Sequence, residues 1–490
     1  MARSLYVMLR NRYGTPVTQD ERRAFLKASL AVGAGLMIGG LGAPALGQGK
    51  PSGRRVVVIG GGFAGLACAS ELVAGGADVT VVEARGRLGG RILSFKDMVP
   101  GATVEGGGEL IGSNHPAWVA YAERFGLEFS DVSDYELDYP VILNGKRLEE
   151  AKGVELWEQL DEATALMNEM AKDLNADEAW LSKDAAALDK RSIAQWIGEQ
   201  KVDELTKVGL RVLFEADNGQ AAEKQSLLCM LAAVKGGGLE KFWSESEVYR
   251  CKGGNQQLAE KLAETVGMDR IIMGLSAKAV SLGGNGKPST VTCGDGRTIE
   301  CDEIVLAVPP TVWKKIEMKP GLPAGLMPQM GSNVKYLAAL KGPFWEEKGL
   351  APDALSDGEI SMTWNATDQQ DMSKGAVMVG FSGGPASEKC RTRKGKEADE
   401  AYTKNFEAIY PGFAAARTGG RFMDWPGDTW SGASYSFPAP GEVTTAGPML
   451  RKGLPGLHFA GEHCSYAFIG YMEGALQSGI AAAKRILAKK

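Results

Sequence analysis

Arg54-Arg55-Val56-Val57-Val58-Ile59 is an apolar, β-branched run that stops on glycines, the pattern of a strand buried on both faces. Helical spacing follows over Leu66 to Ala74, and Val79-Thr80-Val81-Val82 reads as a second buried strand, so the three segments predict one βαβ unit. Residues 149–245 then carry apolar positions at three-to-four spacing, as at Leu156, Leu160 and Leu166, with a capping box at Ser192/Gln195. Strand patterning returns at Ser289-Thr290-Val291-Thr292, turns at Asp295-Gly296 and resumes over Ile304 to Val308 before Pro309-Pro310. From Lys335 to about Gly420 strand and loop alternate. At the far end Leu457-His458-Phe459 runs into an acidic turn and a helix start near Tyr471. The pattern predicts an α/β cofactor domain assembled from 54–110, 245–312 and 421–490. A mixed α+β substrate domain with a helical insert comes from 111–244 and 313–420.

The first 47 residues have a different character. Arg22-Arg23 precedes the uncharged, Gly/Ala-rich stretch Ala28 to Gly42, and small residues follow at Ala43-Pro44-Ala45. This order resembles a twin-arginine export signal and implies a periplasmic destination in a bacterium. A short membrane anchor is the alternative, since the stretch is of marginal length for spanning. That export route carries folded proteins, so a cofactor can be inserted first.

Composition narrows the function classes. Of the formal net charge of −5, the leader contributes +4 and the remainder −9, a poor surface for nucleic acid or anionic lipid. The seven cysteines are scattered without a Cys-x-x-Cys pair, and the three histidines are dispersed, so neither a disulfide framework nor a metal centre is expected. No Gly-x-Ser-x-Gly elbow marks a hydrolase.

Chemistry concentrates at the glycine-rich turns. Gly60-x-Gly62-Phe63-Ala64-Gly65 follows a strand, opens a helix and is succeeded by Glu83 at the end of the next strand. Such a turn lets a pyrophosphate approach the backbone and helix N-terminus, while the carboxylate takes ribose hydroxyls, which disfavours a phosphorylated ribose. Ala84, Arg85, Arg87, Gly90 and Arg91 extend the grip beyond what NAD needs, and point to FAD. Gly461 and Glu462 would meet the ribityl chain, with the helix after Gly470, Tyr471 and Met472 aimed at the flavin pyrimidine.

In this order, GGGFAGL, EARxRxGGR, a central AVPP and a terminal FAGE…GYMEGA resemble the flavin amine oxidases, a family of monoamine, polyamine and L-amino-acid oxidases. The likeness spans about 54–490 and is weak across the helical insert. It implies a glutathione-reductase-like FAD domain, with flavin-adjacent turns at Gly107-Gly108-Glu109-Leu110, Cys251 to Gly254 and Ala307 to Pro310, and adenine near Ala277. It implies a catalytic lysine at Lys335 that holds a water against the flavin, a flavin-flanking Trp425, and a substrate cage of Tyr435 and Tyr471. Lys335 as a plain strand lysine and the tyrosines as core residues are the bland alternatives. Covalent-flavin members carry cysteine where this chain has Ser434, so FAD is expected to be non-covalent, with Cys464 a lesser attachment point. The amino-acid-oxidase branch uses an arginine where Leu110 stands, unless another arginine reaches in from the insert. Glu109 could face a second ammonium group of a diamine, or serve only as a turn or flavin contact.

The activity implied is hydride removal from an amine's α-carbon to flavin N5. The imine then hydrolyses to carbonyl product and ammonia, and the flavin is reoxidised by oxygen to hydrogen peroxide or by a respiratory acceptor. An L-amino-acid oxidase, a carbon–carbon desaturase and a non-catalytic flavin scaffold are the rivals. The assembly state is open, a homodimer included.

Overall fold

The computed structural model describes residues 5–37, 53–132, 136–284 and 287–489. A five-stranded, all-parallel sheet carries the cofactor side, in the order Leu457–Phe459, Glu303–Leu306, Arg55–Ile59, Asp78–Val82 and Ile271–Ile272. Every residue from Val56 to Ile59 is buried, as β-branched side chains covered on both faces should be. The helices Phe63–Ala74 and Met472–Leu487 pack together on one face with Gln256–Val266 beside them. Strands from near the start, the middle and the end of the chain thus lie side by side. A four-stranded sheet, ordered Thr298–Cys301, Ser289–Cys293, Ala277–Ser281 and Glu317–Lys319, branches from this region.

The second body is a seven-stranded sheet ordered Arg417–Met423, Asn333–Leu340, Ala376–Gly383, Met362–Asn365, Ala354–Ser356, Val141–Leu143 and Lys146–Arg147. Its two eight-residue strands are buried throughout, so apolar runs without alternation here mean a sheet covered on both faces. Residues 421–423, placed with the terminal cofactor segment in the sequence, lie in the strand Arg417–Met423, which pairs with Asn333–Leu340. The insert is helical, from Glu150–Ala171 through Glu240–Glu245, and Ser192 and Gln195 form the reciprocal capping box.

The segment that resembles an export signal is not an appendage. Leu5–Tyr13 is a helix whose Tyr6, Met8 and Leu9 are buried in the substrate-domain core, with the Tyr6 ring 5.0 Å from Trp157 and its hydroxyl bonded to Asp161 at 2.8 Å. Gln19–Leu36 is a second helix, capped by Thr18 and Glu21, which packs on Pro116–Phe125. Arg22 of the arginine pair lies 3.7 Å from the buried Glu245. No helix among the described residues is long and apolar enough to cross a membrane. Positions 38–52, which hold the expected processing region, lie outside the described residues.

Candidate active site at the junction of the two bodies

One cavity is lined by Glu83 and Ala277, by Gly60, Gly62, Phe63 and Ala64, and by Lys335, Trp425, Tyr435 and Tyr471. Its space is about 1500 Å³ including the opening to solvent. Ala84, Arg85, Gly90, Arg91, Gly107, Gly108, Glu109, Leu110, Gly461, Glu462, Gly470 and Met472 are also on its wall. Nearly all the positions singled out in the sequence thus converge on one space.

Strand ends and helix starts create the cofactor half. Glu83 closes the strand Asp78–Val82, and its carboxylate accepts the Gly61 and Arg85 backbone amides, both at 2.7 Å. Those bonds pin the acid beneath the glycine turn. Arg85 is drawn to Asp428 and donates to Ser431 Oγ at 3.0 Å. Arg91 donates to Glu462 at 2.9 Å and to the Ser434 carbonyl at 2.7 Å, stitching the two ends of the chain together. Burial raises the Glu462 carboxyl, but Arg91 and the Ser436 hydroxyl outweigh it and hold the group below its ordinary range.

Two of the expected positions lie off this wall. Gly65 is absent from the wall; a Cβ there would stand 1.9 Å from the Gly60 carbonyl oxygen, so its part is to let the helix press against the turn. Arg87 also stays behind the wall, where its guanidinium donates to the carbonyls of Leu88, Gly90 and Ile92 and braces the loop. Of the expected flavin-adjacent turns, Cys251 to Gly254 stands behind the cavity, and the next residue, Asn255, donates its backbone amide to Glu105 at 2.7 Å. Ala307, Val308 and Pro309 do reach the wall.

The reacting half is built around the strand Asn333–Leu340. Lys335 is only 6% exposed, and its ammonium donates to Glu109 Oε2 at 2.8 Å, the Gly107 carbonyl at 2.9 Å and the Glu105 carbonyl at 3.4 Å. Arg250 Nε and Trp364 Nε1 both donate to Glu109 Oε1 at 2.9 Å. Burial raises the Glu109 carboxyl, yet Lys335 and Arg250 prevail and hold it down at about 2. With both oxygens engaged, Glu109 is not free to meet a second substrate ammonium; it anchors Lys335. Burial, aided by the charge on Glu109, pushes the neighbouring Glu105 carboxyl the other way, up to about 7, despite the Asn255 amide. Arg250, Trp364, Glu105 and Asn255 carry no local motif, and their only signal is proximity created by folding.

Trp425 donates its indole N–H to the Gly106 carbonyl at 2.8 Å, and Tyr435 its hydroxyl to the Asp217 carbonyl at 2.7 Å. A Cβ on Gly470 would lie 3.1 Å from the Tyr435 ring, so the chain leading into Tyr471 passes directly against the other cage residue. Tyr471 is the N-cap of Met472–Leu487, so the helix points its positive end into the cavity.

These walls suit FAD. A Cβ at Gly62 would meet nothing closer than 3.9 Å, leaving open room above the turn. His463 lines the same cavity with both ring nitrogens buried and unpartnered, and burial depresses its basicity to about 4, a neutral polar group awaiting a ligand. None of the described wall residues is a cysteine, and Ser434 donates its hydroxyl to Asn333 at 2.7 Å.

Comparison with known proteins agrees with this geometry. A putrescine oxidase of Kocuria rosea is 28% identical over 89% of this chain and 95% of its own. The human flavin-containing amine oxidase B is 25% identical over 88% and 86%. The solved cyclohexylamine oxidase of Brevibacterium oxydans superposes with a TM-score of 0.80 at 25% identity, covering 89% of this chain and 98% of that one. The model of the family described as flavin containing amine oxidoreductase matches residues 63–487. The chain therefore belongs to the flavin-containing amine oxidoreductases, with FAD as its cofactor.

Proposed function

We propose that the protein oxidises the C–N bond of a small amine at the face of the cavity walled by Tyr435 and Tyr471. The observation that carries this reading is a buried, fully coordinated Lys335 sharing one space with those two tyrosines. When bound, FAD supplies the two-electron acceptor for the amine's α-C–H and passes the electrons to oxygen, yielding hydrogen peroxide. The protein's own part is positional. The aromatic faces orient an alkylamine and attract its cationic form during capture. The surrounding apolar walls exclude water and favour the neutral amine. Lys335 spends two short hydrogen bonds on Gly107 and Glu109, and the 3.4 Å contact to Glu105 is the one a water could displace. A water held there would stand beside the cofactor for proton transfer during reoxidation. The released imine hydrolyses to a carbonyl product and ammonia.

An amino-acid substrate is disfavoured by charge. The arginines on the described wall are Arg85 and Arg91; the second is paired with Glu462 and the first with Asp428, while Leu110 offers no cation. Arg250, on the strand Tyr249–Cys251, is spent on Glu109 behind the wall. A dry cavity without a free guanidinium is a costly place for a carboxylate.

Peroxide production by the purified yellow protein, measured over monoamines, diamines and L-amino acids, tests the reading. Turnover of amines is expected; retained FAD with no amine oxidised by oxygen or by a dye acceptor overturns it. The reading includes twin-arginine export, supported by Arg22-Arg23 and the small-residue stretch after it. Arg22→Lys with Arg23→Lys should trap the protein in the cytoplasm, and unchanged periplasmic recovery removes this part.

A further inference from the structure

Beyond Tyr471 the wall continues into a side chamber of about 450 Å³ including its opening. Two carboxylates, Asp217 and Glu247, line it together with Phe214, Trp243 and Val7. As whole residues both acids are partly accessible, but Asp217 Oδ1 and Glu247 Oε2 are fully enclosed and have no hydrogen-bond partner. Burial and then repulsion from Glu247 push the Asp217 carboxyl well above its usual range, and burial pushes Glu247 up to about 7. Enclosed acceptors without donors are rare unless a ligand supplies them. The surroundings select the ligand: enclosed carboxyl oxygens between aromatic walls suit an ammonium group on an apolar stem, whose charge would draw the pair into its ionised form.

The chamber is tied to the reacting half. Tyr471 belongs to both walls, and the backbone carbonyl of Asp217 itself accepts the Tyr435 hydroxyl at 2.7 Å. A ligand passing between the tyrosines with one end toward Lys335 would present its other end to the acids. Glu109, the acid nearest the motif in the sequence, is already consumed by Lys335 and Arg250, so it does not compete for that charge.

We propose that Asp217 and Glu247 form a subsite for the distal ammonium of an α,ω-diamine, making the diamine the preferred substrate class. This rests on the amine-oxidising reading and names its substrate. Charge-assisted hydrogen bonds from the far ammonium to the unpartnered oxygens set the selectivity.

The test uses the dithionite-reduced holoenzyme without oxygen, where binding can be read by calorimetry apart from turnover. Putrescine or cadaverine should bind at least about tenfold more tightly than butylamine or pentylamine, as one or more charge-assisted bonds imply. In Asp217→Asn/Glu247→Gln that ratio should collapse towards one, and the diamine-to-monoamine ratio of kcat/KM should fall with it. Equal affinity of diamine and monoamine in the unaltered enzyme overturns the subsite, as does a ratio retained in the double variant. Should the variant fail to fold, the ratio in the unaltered enzyme decides. Amines oxidised without diamine preference sink the subsite alone. A flavoprotein that oxidises no amine sinks the broader reading, while the binding ratio still judges the subsite.

Discussion

At the residue scale the decisive group is Lys335, whose buried side chain donates to Glu109 and two backbone carbonyls. Lys335→Met should leave the protein yellow yet slow reoxidation of the reduced flavin, by roughly 100-fold if the lysine manages proton transfer. Stopped-flow mixing with oxygen measures it, and an unchanged rate would take Lys335 out of the reaction. Glu109 makes an acid-side prediction. Its folded carboxyl, held at about 2 against an ordinary 4.5, contributes stability above pH 4.5 that is lost as pH falls through that window. The contribution is up to roughly 3 kcal/mol. Melting of the unaltered protein and of Glu109→Gln from about pH 6 to about pH 3 should show the gap between them closing as the solution becomes acidic. A gap independent of pH would mean that Glu109 is not ionised through its two cations. Glu83 is testable by affinity: without its carboxylate the Gly61 and Arg85 amides lose their acceptor, and Glu83→Ala should weaken FAD binding at least about tenfold.

Among the elements, the glycine turn and the helix it opens act as one piece. Gly65→Ala puts a methyl 1.9 Å from the Gly60 oxygen, so the helix Phe63–Ala74 must move off the strand Arg55–Ile59. The expected result is about 1–3 kcal/mol of lost stability, with much of the FAD released on dilution. Calorimetry beside an absorbance titration reads both, and a stable variant with full FAD would show the turn to be slack. Elements of this kind were legible in the sequence because their signals are local. The β-branched run Val56–Ile59, the Ser192/Gln195 box and the helix after Tyr471 each announce themselves within a few residues. The constellation around Glu109 does not. Its partners Arg250 and Lys335 stand 141 and 226 residues away, and neither neighbourhood contains a pattern that names the other. Asp217 and Glu247 were invisible for the same reason: each is one acid in a helical or turn segment until folding sets both in one chamber. Gly65 and Arg87 stand off the wall, since a motif marks a loop without saying which of its atoms face inward.

On the scale of the whole molecule, two sheets built from interleaved segments leave one crevice, and its wall draws on residues from Ile59 to Ala475. Closure by both ends makes folding and cofactor retention a common event, since the Arg91–Glu462 bond spans 371 positions. The family likeness foretold this architecture. It did not foretell that residues 5–37 would be part of the body, because a leader is judged by charge and hydropathy rather than by what could receive it.

Val7 has a consequence for maturation. It stands in the chamber beside Asp217 and Glu247, on the helix that seats Tyr6, Met8 and Leu9 in the core. Excision of the leader would therefore act like drawing a bolt: the far end of the substrate's berth gains a doorway, while the flavin's own enclosure is untouched. A shortened chain starting at Gln48 should stay yellow, melt earlier by the loss of the four buried apolar side chains of Tyr6, Met8, Leu9 and Met37, worth about 1.5–3 kcal/mol each at most, and admit bulkier amines than the full chain does. Side-by-side substrate profiles of the two forms would show it, and identical profiles would mean the bolt closes nothing.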